Sequence, residues 1–259
     1  MTTDALGAFS MRGRLVMVVG GTRGIGLAIT LQLARAGAVV IANYARDRAS
    51  AELLATQALT EGLDITTLRA DVSSDKGRDL VVEAVSQKGQ PLSSLVFAAA
   101  TGVHRPFEQF TSRHFDFTFE LNVKTFLLLV QRLSASMSAG GSIVALSSEG
   151  AARAMPQYGL VGASKAALES MARHLAVELA PRNIRVNVLS PGTVVTDAWK
   201  ALPDAESRLA EAAARTPTGK LTSLQEAASA AHFLCCDASA GMVGHTLVVD
   251  GGARVLGSC

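Results

Sequence analysis

The stretch from Ser147 to Lys165 carries the residues whose types and spacing best suit chemistry. Ser147 and Ser148 directly follow the apolar run 142–146, which we predict to be a buried strand. Open parallel sheets bind their ligands at the carboxyl ends of strands. Tyr158 and Lys165 are seven residues apart at the start of a helical pattern, so both fall on nearly the same helix face, about 10 Å apart. A hydroxyl, a phenol and an ammonium group can therefore converge on one pocket.

The composition bounds the class of protein to which this pocket belongs. The 259 residues, 49% hydrophobic, suffice for one domain with a substantial core, and we predict a single domain over 1–259. A net charge of +2 without a basic block gives no case for nucleic acid, and no apolar run approaches the roughly 18 residues that span a membrane. Three cysteines, two of them adjacent, make no disulfide framework, so we expect a reducing, cytoplasmic location. Residues 1–10 lack a signal-peptide pattern and are expected to form a loose leader.

Apolar runs alternate with helical patterns along the chain, which predicts an α/β fold with parallel strands and right-handed crossovers. The runs are apolar at nearly every position, as expected for a doubly wound sheet with helices on both faces. The predicted strands are Leu15–Val19, Val39–Asn43, Ile65–Arg69, Leu95–Ala99, Ile143–Leu146, Val186–Leu189 and Leu247–Val249. The predicted helices are Gly24–Ala36, Arg48–Glu61, Lys76–Lys88, Arg113–Leu133, Ala163–Ala180 and Leu224–Cys235. The long connection 191–220, with an amphipathic helical middle at 204–215, is expected to be a substrate lid.

A glycine-rich turn directly follows the first predicted strand and opens a helix. Glycines allow the backbone to approach a pyrophosphate closely, and the helix N-terminus supplies free N–H groups and a positive dipole end. In this context the turn predicts a dinucleotide site, the alternative being a tight turn without a ligand. The candidate residues are Gly20, Thr22, Arg23, Gly24, Ile25 and Gly26.

The end of the second predicted strand distinguishes the two nicotinamide cofactors. An acidic residue there binds the ribose 2′-hydroxyl of NAD, but this strand ends in Tyr44-Ala45-Arg46 without a carboxylate. Arg46 and Arg23 suit a 2′-phosphate, which predicts NADPH; the alternative is two solvated surface arginines. Asp71, after the third strand, either accepts from the adenine amino group or caps the helix that follows.

With these residues, the chain resembles the short-chain dehydrogenase/reductase family from Met11 to Leu256, and the resemblance implies a Rossmann-like fold. One departure is Phe97-Ala98-Ala99-Ala100, where the family has Asn-Asn-Ala-Gly. The matching motifs are Gly20–Gly26, Asp71-Val72, Leu121-Asn122-Val123, the Ser148/Tyr158/Lys165 region, Pro191-Gly192 with Thr196, and Val249–Gly252.

The position of the tyrosine points to one branch of the family. The usual pair is Tyr-x-x-x-Lys, but Val161 stands four residues before Lys165, and Tyr158 lies three residues earlier. This longer spacing resembles enoyl-acyl-carrier-protein reductases, whose reaction develops charge on a thioester oxygen remote from the carbon that accepts hydride. A donor directed at that oxygen stabilises the enolate. The segment 152–158 resembles the pattern of these reductases, and the segments 43–46, 102–106, 114–118 and 216–219 resemble their NADPH-dependent members.

The resemblance implies a role for each catalytic candidate. Tyr158 hydrogen-bonds the enolate oxygen of a trans-2-enoyl thioester, and Lys165 binds the nicotinamide ribose and adds positive potential. Ser148 either matches the family's carbonyl-binding serine or only closes a strand-end turn. Asn122 either matches the helix-distorting asparagine that supports a water near the lysine or makes an ordinary polar contact.

The remaining cofactor contacts come from three loops. Asp71 and Val72 would lie at the adenine, and Thr196 at a phosphate. The backbone of Pro191, Gly192 and Val194 would hold the nicotinamide carboxamide.

Two other functions compete with enoyl reduction. One is a carbonyl or 3-ketoacyl reductase with a displaced tyrosine, and the other is a non-catalytic NADPH-binding protein. The resemblance also implies a homotetramer, to which the apolar tail Val243–Leu256 contributes. If the acyl thioester is held by an acidic carrier protein, the expected basic contacts are Arg105, Arg113, Arg153 and Lys200.

Overall fold

The computed structural model of the protein describes residues 7–196 and 204–256. Within them, one sheet contains seven parallel strands in the order β3-β2-β1-β4-β5-β6-β7. This order confirms the predicted doubly wound α/β fold. The strands are β1 (Leu15–Val19), β2 (Val39–Tyr44), β3 (Ile65–Arg69), β4 (Leu92–Phe97), β5 (Met137–Leu146), β6 (Arg185–Pro191) and β7 (Thr246–Val249).

Helices cover both faces of this sheet, which explains why the central strand β1 is apolar at every position. The helices are α1 (Gly24–Arg35), α2 (Arg48–Glu61), α3 (Asp75–Ser86), α4 (Ser112–Phe119), α5 (Phe126–Leu133), α6 (Gly159–Leu179), α7 (Ala205–Ala214) and α8 (Leu224–Cys235). In β1, Leu15, Met17 and Val19 pack into one core with α3, α5 and α6, whereas Val16 and Val18 pack into a second core with α1 and α8.

Side-chain caps fix the start of several helices but not of α1. Asp47 accepts from the Ser50 N–H at α2, Ser74 accepts from the Gly77 N–H at α3, and Ser223 forms a capping box at α8. The residue preceding α1, Arg23, makes no side-chain cap. The first N–H groups of α1 are therefore left for a ligand.

Several boundaries differ from the sequence-based expectation. Helix α6 begins at Gly159 rather than Ala163. Its first turn contains two glycines of low helix propensity, so the sequence does not indicate it, and tertiary contacts hold it in the fold. The helix predicted over 113–133 is divided into α4 and α5 by a π-helical turn, Glu120–Thr125. Strand β4 ends at Phe97 rather than Ala99, and β5 starts earlier, at Met137.

The predicted leader and lid are described in part. Gly7–Phe9 form a short 3₁₀ helix, and the Phe9 ring lies against His232 and Phe233, whereas residues 1–6 lie outside the described range. In the connection expected to be a lid, α7 forms where a helix was predicted, and residues 197–203 lie outside the described range. No helix within the described ranges is long and apolar enough to cross a membrane.

Candidate active site

The structure brings the predicted serine, tyrosine and lysine together at the carboxyl end of β5. The Tyr158 hydroxyl donates to Ser148 Oγ at 3.1 Å, and the same oxygen accepts from the Gly150 N–H at 3.2 Å. Ser148 therefore closes the strand-end turn and also contacts the phenol, and its role as a carbonyl-binding serine stays a prediction. Lys165 Nζ donates to the Leu146 carbonyl at 2.8 Å.

Burial sets the electrostatics of this cluster. Burial raises the pKa of Tyr158, and the hydrogen bond to Ser148 only partly opposes it, so the phenol keeps its proton near neutral pH. Burial also lowers the pKa of Lys165 to about 8, while the charge of Glu169, one turn further along α6, opposes the shift. The Glu169 carboxylate in turn accepts from Ser147 Oγ at 2.5 Å.

Asn122 lies in the π-helical turn and is fully buried. Its side-chain oxygen accepts from the Thr101 N–H at 3.0 Å, and its amide donates to the Thr101 carbonyl at 2.8 Å and to Ser164 Oγ at 2.9 Å. The residue therefore lies at a distortion of its helix, where the resemblance placed the family's asparagine. Its direct effect is to join the loop after β4 to α6, beside Lys165.

A slot of small residues sets the position of Tyr158, and the sequence analysis did not identify it. A Cβ at Gly150 would overlap the phenol ring, and a Cβ at Gly162 would overlap the Gly150 carbonyl. Gln157, just before the tyrosine, has a φ of +62°, and its carbonyl accepts from the Arg105 N–H at 3.1 Å. A positive φ at a non-glycine residue is uncommon and often marks a functional constraint.

Val161 occupies the helix position at which the family usually has its tyrosine. It is 5% exposed and packs against Gly102 so closely that a Cβ at that glycine would overlap its side chain. The usual tyrosine position is therefore filled by apolar packing against the loop after β4. Among the residues that the structure describes near Lys165, the phenol is supplied by Tyr158 alone.

The glycine turn after β1 has the geometry of a phosphate-binding loop. Gly20 has a φ of +78° and faces the backbone of Ala99, so that a Cβ there would lie 2.9 Å from the Ala99 nitrogen. Gly26 lies against the Gly20 carbonyl with no room for a side chain. Thr30, which the sequence analysis missed, donates to the Gly21 carbonyl at 3.0 Å and fixes the turn.

The other predicted residues of the turn have distinct surroundings. Thr22 is buried, Ile25 is partly buried and Arg23 is exposed at the entrance to α1. Gly24 has a φ of +55° and lies beside Thr196, which closes the turn from the opposite side. These residues fit a nucleotide pyrophosphate, because the uncapped α1 N-terminus and a backbone cradle without side chains meet here.

The predicted adenosine end lies at the tips of β2 and β3. Arg46 is exposed and Tyr44 partly buried at the end of β2, whereas the nearby Asp47 carboxylate is occupied by hydrogen bonds from Ser50. Asp71 does not cap α3, because Ser74 does; Asp71 Oδ1 instead accepts from the N–H and hydroxyl of Ser73.

The segment around Asp71 is fixed by a glycine that the sequence analysis overlooked. A Cβ at Gly77 in the first turn of α3 would overlap the Asp71 carbonyl, and Val72 beside it is buried. The Asn43 amide also donates to the Ala70 carbonyl at 2.9 Å, which ties β2 to the end of β3.

The predicted nicotinamide end lies where β6 ends at Pro191. Gly192 donates its N–H to the Val249 carbonyl at 2.8 Å and packs against Asp250 and Thr222, so a side chain there would collide with both. Val194 is buried and pairs with Thr222 in an isolated parallel bridge. The loop therefore leads from β6 over the glycine turn, where Thr196 lies.

A Rossmann-like fold, a phosphate-binding turn and a Ser–Tyr–Lys cluster define an NAD(P)-dependent oxidoreductase. A family model described as enoyl-(acyl carrier protein) reductase matches residues 19–254. The chain belongs to this family of short-chain dehydrogenases/reductases.

Individual relatives agree with this assignment. The chain is 32% identical over 247 residues to 1-cyclohexenylcarbonyl-CoA reductase of Streptomyces collinus, covering 95% of this chain and 88% of that protein. It is 33% identical over 252 residues to a tropinone reductase homologue of Arabidopsis thaliana, covering 96% and 93%. Among solved structures, a gluconate 5-dehydrogenase from Burkholderia cenocepacia in complex with NADP and tartrate superposes with a TM-score of 0.90 at 28% identity, covering 98% and 100%.

Proposed function

We propose that this protein uses NADPH to reduce the carbon–carbon double bond of a trans-2-enoyl thioester. The observation that carries the proposal is the position of the phenol. Tyr158, seven residues before Lys165, reaches Ser148, whereas the usual tyrosine position holds the buried Val161. A donor set back along the helix suits an oxygen remote from the carbon that accepts hydride.

The chain's own residues would stabilise the charge that this reaction develops. NADPH, when bound, would supply the hydride for the β-carbon. Tyr158 keeps its proton because burial raises its pKa, so it is suited to donate a hydrogen bond to the enolate oxygen. Lys165, buried beside it, would orient the nicotinamide ribose and add positive potential. The phenol has one proton, which it donates to Ser148 Oγ in the structure, so Tyr158 would exchange this partner for the enolate oxygen when the thioester binds.

The adenosine end supports NADPH over NADH. The first carboxylate after β2 is that of Asp47, which accepts hydrogen bonds from Ser50 and caps α2. These bonds occupy both of its oxygens within the first turn of the helix. Arg46 and Arg23 are exposed near this end, where a guanidinium can pair with a 2′-phosphate. The superposed gluconate 5-dehydrogenase contains NADP, in agreement with this proposal.

One relative gives chemical support for an enoyl substrate. The name 1-cyclohexenylcarbonyl-CoA describes a thioester whose carbonyl is conjugated with a ring double bond. This has the same reacting group as a trans-2-enoyl thioester. The tropinone reductase homologue and the gluconate dehydrogenase support only the broader class of reductase or dehydrogenase.

The acyl or pantetheine part has a candidate groove beside Tyr158. An open groove of about 420 Å³ lies between the loop 105–110 and the segment before the tyrosine. Phe107, Phe110 and Met155 line it and supply apolar surface. We assign the chain of the thioester to this groove, and replacing Phe110 by Ser should raise KM more for a long acyl thioester than for crotonyl thioester.

Two partner proposals follow from the surface. Arg105 and Arg113 are exposed and available to an acidic carrier protein, whereas Arg153 already donates to the Ala253 and Arg254 carbonyls, and Lys200 lies outside the described residues. Charge reversal at Arg105 and Arg113 should weaken activity with a carrier-bound substrate only.

Exposed apolar residues of the tail, including Val255, support self-association as a homotetramer. Light scattering measures the mass of this assembly.

The first experiment follows NADPH absorbance with crotonyl thioester, comparing the wild type with Tyr158→Phe. We expect wild-type turnover and a fall in kcat of about 100-fold or more in the variant, because the enolate loses a preorganised donor. An unchanged kcat in Tyr158→Phe would remove the tyrosine from the mechanism while leaving the reaction in place.

A carbonyl reductase is the second candidate, and the hydrogen bond between Tyr158 and Ser148 favours it. A serine beside a phenol is the arrangement that binds and protonates a ketone oxygen in short-chain dehydrogenases/reductases. Acetoacetyl thioester separates the two functions in the same assay. Reduction of acetoacetyl but not crotonyl thioester would select the carbonyl reductase and make Ser148→Ala the next variant.

A further inference from the structure

A histidine that the proposed reaction has not used lies directly against the catalytic phenol. The His104 ring contacts the Tyr158 ring edge to face, with centroids 5.2 Å apart and planes at 68°. His104 lies in the loop after β4, which is tied on one side by Asn122 to Thr101 and on the other by the Arg105 N–H to the Gln157 carbonyl. The loop therefore holds the imidazole at the mouth of the pocket.

Enoyl reduction needs a proton at the α-carbon, and the groups described so far are poorly suited to supply it. The Tyr158 phenol holds its proton because burial raises its pKa. Lys165 is buried and its Nζ donates to the Leu146 carbonyl. Ser148 is a hydroxyl whose oxygen already accepts from Tyr158.

We propose that His104 is the acid that protonates the α-carbon of the substrate, an inference that rests on the proposed enoyl reduction. After hydride has been added to the β-carbon, the enolate electron pair forms a new C–H bond at the α-carbon while the thioester C=O is restored. The N–H bond of the His104 imidazolium breaks, and its electron pair stays on the nitrogen. The neutral imidazole then takes a proton from solvent, to which His104 is exposed.

The surroundings of His104 fit this role. Among the described residues, the titratable and charged groups around the ring are Tyr158 from the start of α6, Arg208 from α7 and its chain neighbour Arg105. Burial first, and then the charge of Arg208, lower the pKa of His104, which makes its imidazolium a stronger acid. Neither ring nitrogen has a hydrogen-bond partner within the described ranges, unlike His114 in its capping box and His232 at the Phe9 carbonyl.

The test compares His104→Phe, His104→Gln and the matched control His114→Gln with the wild type, using NADPH and crotonyl thioester. His104→Phe keeps an aromatic ring beside Tyr158 but removes the acid. We expect kcat to fall about 100-fold in both His104 variants, in the range for a positioned acid, and to stay within about twofold in the control. We also expect the wild-type kcat to rise as pH falls through the histidine pKa, and this rise to be absent in both variants.

Deuterium labelling separates proton donation from a structural effect. In D₂O the wild type should place deuterium on one face of the α-carbon, whereas the His104 variants should give both faces, because water protonates the released enolate. Imidazole added to His104→Ala should restore part of kcat. Arg208→Gln should move the rise of kcat with falling pH to a higher pH, because the charge of Arg208 lowers the pKa of His104.

The outcomes distinguish the residue from the reaction. Unchanged kcat, pH profile and facial selectivity in His104→Phe, with an active wild type, would overturn the assignment of His104. A wild type without turnover on crotonyl thioester would instead remove the proposed function on which the assignment rests. NADPH binding measured by fluorescence confirms that each variant is folded.

Discussion

Lys165 combines a charged group with nearly complete burial. It is 4% exposed, and its ammonium donates to the Leu146 carbonyl at 2.8 Å. Burial disfavours the charged form and lowers the pKa of Lys165 to about 8, well below its usual range. If the positive potential of this ammonium supports catalysis, kcat/KM should fall as pH rises through about 8, where the lysine loses its proton.

Glu169 holds this pKa from falling further, which gives a residue-scale prediction. Its carboxylate accepts from Ser147 Oγ at 2.5 Å and raises the pKa of Lys165 through its charge. We expect Glu169→Gln to move the alkaline limb of kcat/KM to lower pH, because the neutral amide no longer favours the ammonium. A pH series of initial rates with crotonyl thioester measures the shift.

The matched control for Glu169 lies on the same helix. Glu178 is exposed near the end of α6, so Glu178→Gln removes an equal charge away from the lysine and should leave the profile in place. Stability should respond with the opposite sign to activity. Because the folded-state pKa of Lys165 lies below the unfolded value, the free energy of unfolding should rise between about pH 8 and the ordinary lysine pKa. An alkaline limb that stays fixed in Glu169→Gln would show that Glu169 does not act on Lys165.

At the scale of elements, the unusual tyrosine register depends on how α6 meets the turn after β5. Helix α6 can begin at Gly159 and present Tyr158 to Ser148 only because Gly162 lies directly against the Gly150 carbonyl. The positive φ of Gln157 turns the chain into the helix at this point. The close contact between Gly162 and the Gly150 carbonyl and the positive φ of Gln157 together fix the position of the phenol.

Gly150→Ala tests this slot directly. The new methyl group would overlap the Tyr158 ring, so we expect the phenol to move and kcat to fall toward the value of Tyr158→Phe. Overpacking of this kind should also lower the free energy of unfolding by about 1–3 kcal/mol. Steady-state kinetics and denaturant unfolding measure the two effects.

A glycine in open space provides the comparison for that substitution. A Cβ at Gly241 meets nothing within 4 Å, and its φ lies outside the left-handed region, so Gly241→Ala should leave both quantities nearly unchanged. If Gly150→Ala retained full kcat, the overlap with the phenol would have to be relieved by the turn, and the slot would not control the tyrosine.

The same elements show what the sequence can and cannot predict. The strands follow from continuous apolar runs such as 15–19, because burial on both faces leaves a simple pattern. The start of α6 was predicted four residues late, because its first turn, 159–162, contains two glycines that disfavour a helix and is held by tertiary contacts instead. The π-helical turn at Asn122 leaves no periodic signal, since one extra residue in a helix barely changes the apolar spacing.

The candidate site residues that could be predicted differ from those that could not in how local their signal is in the sequence. Tyr158, Lys165 and the glycine turn were predicted because their types and spacing are local in the sequence. His104 is more than 50 residues from Tyr158 in the sequence and reaches it only through the fold, and the overlap of Gly150 with the phenol depends on the shape of the turn between them, which no periodic pattern indicates.

At the scale of the whole molecule, the proposed cofactor site gathers segments from across the sheet. The glycine turn follows β1, Arg46 follows β2, Asp71 follows β3, and the loop after β6 reaches Gly24 through Thr196. A ligand that binds all these segments binds the folded state only. Its binding energy therefore adds to the stability of the fold.

This coupling gives a prediction about the cofactor that does not depend on the substrate. At about 100 times its Kd, NADPH should add about 2.7 kcal/mol to the free energy of unfolding, which corresponds to a rise in Tm of about 5–10 °C. NADH at the same concentration should raise Tm less, because in the proposed site Arg46 and Arg23 would pair with a 2′-phosphate that NADH lacks. Differential scanning fluorimetry measures both shifts.

Two arginine variants locate the source of that difference. Arg46→Ser should reduce the NADPH shift toward the NADH shift, whereas Arg48→Ser should not, because Arg48 pairs with Glu52 on the surface of α2. Equal shifts for the two cofactors in the wild type would contradict NADPH selection. Such a result would leave the fold and the catalytic cluster unaffected, because the proposed contact with the 2′-position lies at the tip of β2, whereas Tyr158 and Lys165 lie beyond β5.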